Sequence, residues 1–365
     1  MRQSPKSSVG EALAEAGGYA PGFDVIRHVA AFMVLLSHAV PISSGSNAHE
    51  IVFRFSGGHA TLGKIAVAVF FTLSGFLVMQ SANRSSTWWH FLLKRISRVV
   101  PGLLCVVMIS AFVLGPLVST DSILGYYRNP ATWDYMRLAV FLPADGDLPG
   151  VFRTNPYPST VNGSLWTLRY EMACYILLTG VAFLYPFRHL PHVVSATLAA
   201  GTCLVLAVLA NREALQFPTV VADLAPLASF FFMGAVLYSF RYQVVLDLRF
   251  AAGSLLVLLV SLGSASFNLL GPTAIAYIVV WIGLKVQSPV FLKRSDLSYG
   301  MYLYAFPVQQ FIQLHWSPTW YINVLLSLGP TLALAYLSWT YVERPMLTRA
   351  RRWLLQPQRL ALTEA

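Results

Sequence analysis

Long apolar runs recur along the whole chain between short polar breaks, and their lengths match the roughly 17 to 25 residues a helix needs to cross a hydrocarbon core. They predict membrane spans at about 23–41, 62–80, 96–118, 163–185, 193–210, 218–240, 250–267, 269–286, 297–315 and 320–342. The expected fold class is an all-α polytopic membrane protein of about ten transmembrane helices.

Two spans are impure. Span one runs from Asp24 through Arg27 and His28 to Ser37 and His38, and span four carries Arg169 and Glu171. A charge at the bilayer centre costs several kcal/mol, so ionisable groups inside a span face a protein interior and mark a functional site. Arg27 and His38 are eleven residues apart, about 20° beyond three whole turns, so they project from one face about 16 Å apart along the axis. Asp24 lies within reach of a helical ion pair with Arg27. The plainer alternatives are an interfacial pair for Asp24 and Arg27 and an interfacial polar group for His38; the alignment of His38 with Arg27 favours function.

Glu171 lies a turn or two below the surface marked by the interface aromatics Trp166 and Tyr170, near the level inferred for His38. A carboxylate there can fix an imidazole's tautomer and raise its basicity. Spacing leaves open whether Glu171 meets His38 or Arg169. At the inner edge of span three, Arg95 and Arg98 stand one turn apart, as a phosphate clamp requires; positive-inside anchoring is the alternative. In span two, Ser74 and Gly75 read as a small pair permitting close helix packing rather than as a catalytic serine.

Hydrophobic residues make up 56% of the chain and charged ones 11%, against about a quarter charged in soluble domains. The net charge of +10 does not imply nucleic acid, because the basic residues are dispersed between spans. With both termini cytoplasmic, the inner segments hold Arg2, Lys6, Arg84, Lys94, Arg95, Arg98, Arg188, Arg241, Arg249, Lys285, Lys293, Arg294, Arg344, Arg349, Arg351, Arg352 and Arg359. The outer segments hold Arg54, Lys64, Arg128, Arg137, Arg153 and Arg212, the asymmetry expected of an even number of spans. The predicted organisation is a cytoplasmic N-terminal tail (1–22), a membrane domain (23–343) and a basic cytoplasmic tail (344–365) that is amphipathic and suited to anionic lipid.

The outer loop at about 119–162 is long enough to be a lid or binding loop. Tyr126, Tyr127, Trp133, Asp134, Tyr135, Asp145, Asp147 and Tyr157 in it suit sugars; a plain connector is the alternative. Met1–Gly22 lacks the apolar core of a cleavable signal peptide. Cys105, Cys174 and Cys203 fall in apolar runs and form neither a disulfide framework nor metal-ligand spacing, so no metal is expected.

In chain order, Asp24-x-x-Arg27-x10-His38, Phe70-Phe71-x-Leu73-Ser74-Gly75-Phe76-Leu77, Arg95-x-x-Arg98 before Pro101, Leu165-Trp166-x-Leu168-x-x-Glu171-x-x-x-Tyr175, Leu297-Ser298-Tyr299-Gly300-Met301-Tyr302-Leu303-Tyr304 and Glu343-Arg344-Pro345 resemble the acyltransferase 3 family of membrane acyltransferases. The resemblance runs from span one to span ten. It implies O-acylation, usually O-acetylation, of extracytoplasmic carbohydrate such as exopolysaccharide, lipopolysaccharide or lipid-linked sugar, in a bacterial inner membrane. By resemblance His38 is the catalytic base, Arg27 its essential helix partner, and Arg95 and Arg98 contacts for acyl-coenzyme A. Two departures bear on the acceptor pocket: Ala305 stands where relatives often carry histidine, and Arg169-Tyr170 replaces smaller residues. No appended hydrolase-like domain follows span ten, so the membrane part is expected to hand the acyl group directly to its acceptor.

The expected mechanism starts with acetyl-coenzyme A in the cytoplasm. Arg95 and Arg98 hold its phosphates, the pantetheine arm passes Arg27, and His38, oriented by a carboxylate such as Glu171, deprotonates the acceptor hydroxyl. Expected partners are acyl-coenzyme A, an envelope glycan or exopolysaccharide, the bilayer and polysaccharide-assembly proteins. The rival class is a transporter or flippase, which predicts inverted repeats and broken helices in matching halves; the chain shows neither clearly.

Overall fold

The computed structural model describes residues 7–85, 87–144, 146–183, 192–210 and 217–363; Arg2, Lys6, Asp145, Arg188 and Arg212 lie outside them. The described chain is helical: α1 (Val9–Glu15), α2 (Phe23–Ser44), α3 (Ile51–Phe55), α4 (Leu62–Asn83), α5 (Trp88–Ile109), α6 (Gly115–Val118), α7 (Ile123–Arg128), α8 (Pro130–Asp134), α9 (Trp166–Phe183), α10 (His192–Ala210), α11 (Thr219–Ser239), α12 (Leu248–Ser261), α13 (Phe267–Lys285), α14 (Val290–Arg294), α15 (Ser298–Trp316), α16 (Trp320–Ser338) and α17 (Arg344–Thr363). Among the described residues β pairing is confined to two isolated bridges, Ser8 with Val245 and Asp147 with Thr160.

Among the described residues, six stretches are long and apolar enough to cross a membrane: Phe23–Ser44, Leu62–Asn83, Trp88–Val118, Thr219–Ser239, Phe267–Lys285 and Trp320–Leu354. Helices α9, α10, α12 and α15 run through the other four predicted spans. The third starts earlier than expected, at Trp88, because the charges of Lys94 and Arg95 limit burial but do not interrupt helical hydrogen bonding. It continues through a π-helical turn, Ser110–Leu114, and α16 passes through a second, Trp339–Glu343, into α17. Such turns recur at functional sites.

Within the predicted tail, Ser8 and Glu11 close a capping box. The Glu11 amide donates to Ser8 Oγ (3.2 Å) and the Ser8 amide to Glu11 Oε2 (2.7 Å), which holds the Glu11 carboxyl below its usual range.

The chain divides into two compact units. The first comprises Met1–Val34, Ala48–Ser85 and Tyr170–Arg294. In it α4 crosses α11 backbone to backbone: a Cβ on Gly75 would lie 1.7 Å from the Phe231 carbonyl oxygen, and one on Gly234 would lie 2.1 Å from that of Thr72. This is the close packing that small residues allow in membranes, and α10 and α13 pack on α11.

The second unit comprises Leu35–Asn47, Ser86–Arg169 and Ser295–Ala365. Here α15 packs on α16 through Gly300, whose Cβ would meet Ala335 Cα at 2.6 Å, and on α5 through Gly102, whose Cβ would meet the Tyr299 ring at 2.7 Å. The long loop is folded into this unit. Tyr126 and Tyr135 are buried, and the Tyr126 hydroxyl donates to the Ala111 carbonyl at 2.7 Å. Burial pushes both phenols up. These two are core residues rather than open sugar platforms, while Trp133 and Tyr157 remain exposed.

Candidate functional site

The apolar run of α2 carries four of the ionisable groups. Asp24 occupies its first turn, where a carboxylate suits the helix dipole, and sits 3.9 Å from Arg27 Nη1. Tyr19 completes this cluster of the first unit. Its hydroxyl donates to Asp24 Oδ1 (2.7 Å) and accepts from Arg27 Nη1 (3.3 Å), a partner that helical spacing does not reveal.

Glu171, also in the first unit, accepts two hydroxyl hydrogen bonds on one oxygen. Ser74 Oγ donates to Oε1 at 3.0 Å and Tyr175 at 2.5 Å. The serine read as a packing residue thus also positions a carboxylate. The Tyr175 partner stands at i+4 and was legible in that spacing.

His38 belongs to the second unit. Its ring stands edge-on to Phe306, centroids 5.1 Å apart, and its Nδ1 is buried with no hydrogen-bond partner among the described residues. Around the C-terminal half of α2 lies a polar layer that sequence reasoning missed. Gln309 Nε2 donates to the Leu35 carbonyl (2.9 Å), and Ser43 Oγ to Gln313 Oε1 (3.0 Å). Asn323 Nδ2 bridges the Gln309 carbonyl (3.1 Å) and Gln313 Oε1 (3.2 Å). Gln310 and Asn155 tie α15 to the long loop, with Asn155 Nδ2 donating to Gln310 Oε1 at 2.7 Å. Gln309 Oε1 and Asn323 Oδ1 are buried acceptors without a partner among the described residues. Three glutamines in an apolar run were the available signal, because burying amides is costly unless they are hydrogen-bonded.

On α5, Arg95 is half-buried, and Arg98 forms an ion pair with Asp296. Ser298 Oγ donates to Asp296 Oδ1 (2.6 Å), and the Arg98 guanidinium lies 5.9 Å from the Tyr299 ring centroid. Glu343, in the second π-helical turn, is fully buried and accepts from Ser338 Oγ at 2.8 Å. Its Oε2 has no hydrogen-bond partner among the described residues. Asp296 was not foreseen, since 198 residues separate it from Arg98.

The second unit thus holds a half-buried imidazole beside a polar layer, with the Arg98 guanidinium on α5, the half-buried Asp296 carboxylate just before α15 and the buried Glu343 carboxylate in the π-helical turn after α16. Proton transfer and anion binding are the chemistries such groups supply. Residues 21–340 match the profile of a family described as an acyltransferase domain. The chain is 30% identical over 332 residues to an O-acetyl transferase of Shigella phage Sf6, covering 90% of this chain and 96% of that protein. It is 29% identical over 372 residues to nodulation protein 10 of Rhizobium leguminosarum bv. viciae, covering 92% and 96%. No solved structure matches the chain.

Proposed function

This chain belongs to the acyltransferase-domain family, and from that membership we propose that it moves an acyl group, most simply acetyl, from cytoplasmic acyl-coenzyme A to a hydroxyl of an extracytoplasmic polysaccharide or lipid-linked glycan. The enzyme is a membrane acyltransferase of the O-acetyltransferase type. The observation that carries the reading is the similarity, over 90% of the chain, to an O-acetyl transferase. The lysine and arginine asymmetry supports ten spans with both termini cytoplasmic in a bacterial inner membrane.

In the proposed reaction the acceptor oxygen attacks the thioester carbonyl. A C–O bond forms as the C–S bond breaks, and the hydroxyl proton passes to His38 and from there to the departing thiolate. Phe306 fixes the imidazole plane. Arg95 and Arg98 are assigned to the donor's phosphates, with Asp296 holding Arg98 in place. Arg27, steadied by Asp24 and Tyr19, keeps the essential role the resemblance gives it. Glu171 is assigned a catalytic role as a carboxylate fixed on one oxygen by Ser74 and Tyr175.

The test is transfer from acetyl-coenzyme A in proteoliposomes, together with acetyl ester on envelope glycans. His38→Ala and His38→Gln, in chains that insert normally, are expected to lose about 10²- to 10⁴-fold in rate, the usual contribution of general base catalysis. Undiminished ester would remove His38 from the mechanism.

A further inference from the structure

Between α5, α15 and α16 of the second unit lies an apolar cleft of about 650 Å³. On α15 it is lined by Tyr304, Pro307, Val308 and Phe311, whose spacing places them on one helical face. The opposite face carries Phe306, Gln309, Gln310 and Gln313. The cleft therefore lies behind α15, away from His38 and its polar layer.

Three helix distortions meet at the cleft. The π-helical turn Ser110–Leu114 continues α5, and Pro307 and Pro330 interrupt the hydrogen-bond ladders of α15 and α16. All three contribute lining residues, and two of them are secured by the long loop. The Tyr126 hydroxyl donates to the Ala111 carbonyl inside the π-helical turn (2.7 Å). Asn162 Nδ2 donates to the Leu303 carbonyl (2.8 Å), four residues before Pro307, which has no N–H to offer it. A cleft framed in this way is a built feature rather than a packing fault.

Its floor is buried at Val106, Ser110 and Ile312, and its rim is exposed at Val113, Leu117 and Leu326. The rim is continuous with the exposed apolar surface of Leu104 and Met108 on α5 and Leu325 on α16, so the cleft opens sideways into the bilayer. No charged side chain stands among its described lining residues, and an empty apolar void forfeits the contacts of its walls. From Val106 to Leu117 along α5, and from Tyr304 to Trp316 along α15, the cleft runs roughly 16 to 18 Å. That is about the thickness of one leaflet, half of a hydrocarbon core of roughly 30 Å. A lipid tail that stops at the bilayer midplane fits this length, whereas a longer chain would run into Val106 and Tyr304, both buried at the closed end.

We propose that the cleft is a binding site for one acyl tail of a phospholipid from the leaflet that borders the 119–162 segment, retained as a fixed part of the second unit.

The test extracts the full chain from its membrane, washes it in detergent until bulk lipid is gone, and reads what stays bound by native mass spectrometry and lipid extraction. A phospholipid is expected to remain on each chain. Val113→Trp and Leu326→Trp fill the cleft from its exposed rim, and each is expected to cut the retained lipid by about tenfold or more. Leu325→Trp, on the neighbouring bilayer-facing surface, is expected to leave it unchanged. Circular dichroism checks the helix content of every variant. Returning phospholipid to the delipidated wild type is expected to raise its melting midpoint by about 3 °C, and to leave that of Val113→Trp where it was. Absence of retained phospholipid, retention unchanged in both cleft variants, or a polyisoprenoid lipid in its place overturns the proposal. So does a dimer that the same substitutions break apart, since the cleft would then hold a second copy of the chain.

Discussion

Arg98 meets Asp296 across 198 residues of chain, and both side chains are largely removed from solvent. Breaking such a pair leaves an uncompensated charge, so Asp296→Asn is expected to destabilise the protein by about 3 kcal/mol, read as a lowered midpoint in thermal unfolding. Arg95 stands one turn earlier on the same face, and Arg95→Ala is expected to weaken coenzyme A binding about tenfold with little loss of stability, the effect of one guanidinium contact to phosphate. Unchanged affinity in titration calorimetry would dismiss the clamp. At Glu171, Ser74→Ala removes one of two donors and is expected to lower stability by about 1 kcal/mol, with Ser74→Thr restoring the hydroxyl; equal melting of the two variants would show that the hydrogen bond contributes nothing. The Asp24–Arg27 pair was legible because its spacing is local. Tyr19 was not, because it lies in the turn before α2 where helical spacing does not apply, and Ser74, Asp296 and the Gln309 layer were not, because their partners arrive through tertiary packing.

Helices in this protein are legible from apolar length, while their contacts are set by where side chains are missing. Gly75 has no space for a Cβ against the Phe231 carbonyl, and backbone cannot yield as a side-chain tip can. Gly75→Ala is therefore expected to force α4 from α11 and cost about 2–3 kcal/mol, the upper range of overpacking. A Cβ added at Gly253, in α12 of the same unit, would have nothing within 4 Å of it, so Gly253→Ala is expected to stabilise by up to about 1 kcal/mol through helix propensity. Parallel denaturation of the two variants checks both, and similar stabilities would refute the packing account. The Ser8 and Glu11 capping box was visible as S-x-x-E before α1, yet the polar composition of the first residues read as a tail. Capping is a local backbone matter and does not need an apolar run.

At the scale of the molecule, the proposed topology places both ends of the chain in the cytoplasm and the 119–162 segment outside. A fluorescent protein fused after Ala365 is expected to fluoresce, and alkaline phosphatase inserted in that segment to be active; phosphatase activity at the C-terminus would reverse the orientation. The bilayer makes the helical class readable from sequence, since every backbone polar group inside it must be satisfied within its own segment. Apolar run length, the impurity of spans one and four, and the family motifs are likewise properties of the linear chain. Tertiary structure alone decided that the long loop buries Tyr126 and Tyr135, that Ser74 reaches Glu171, and that the Phe306 ring packs between Gly163 and His38. The physical reason is range. Hydrophobic length and helical spacing act over a few turns, whereas these contacts join residues tens to hundreds of positions apart and exist only once the helices have packed.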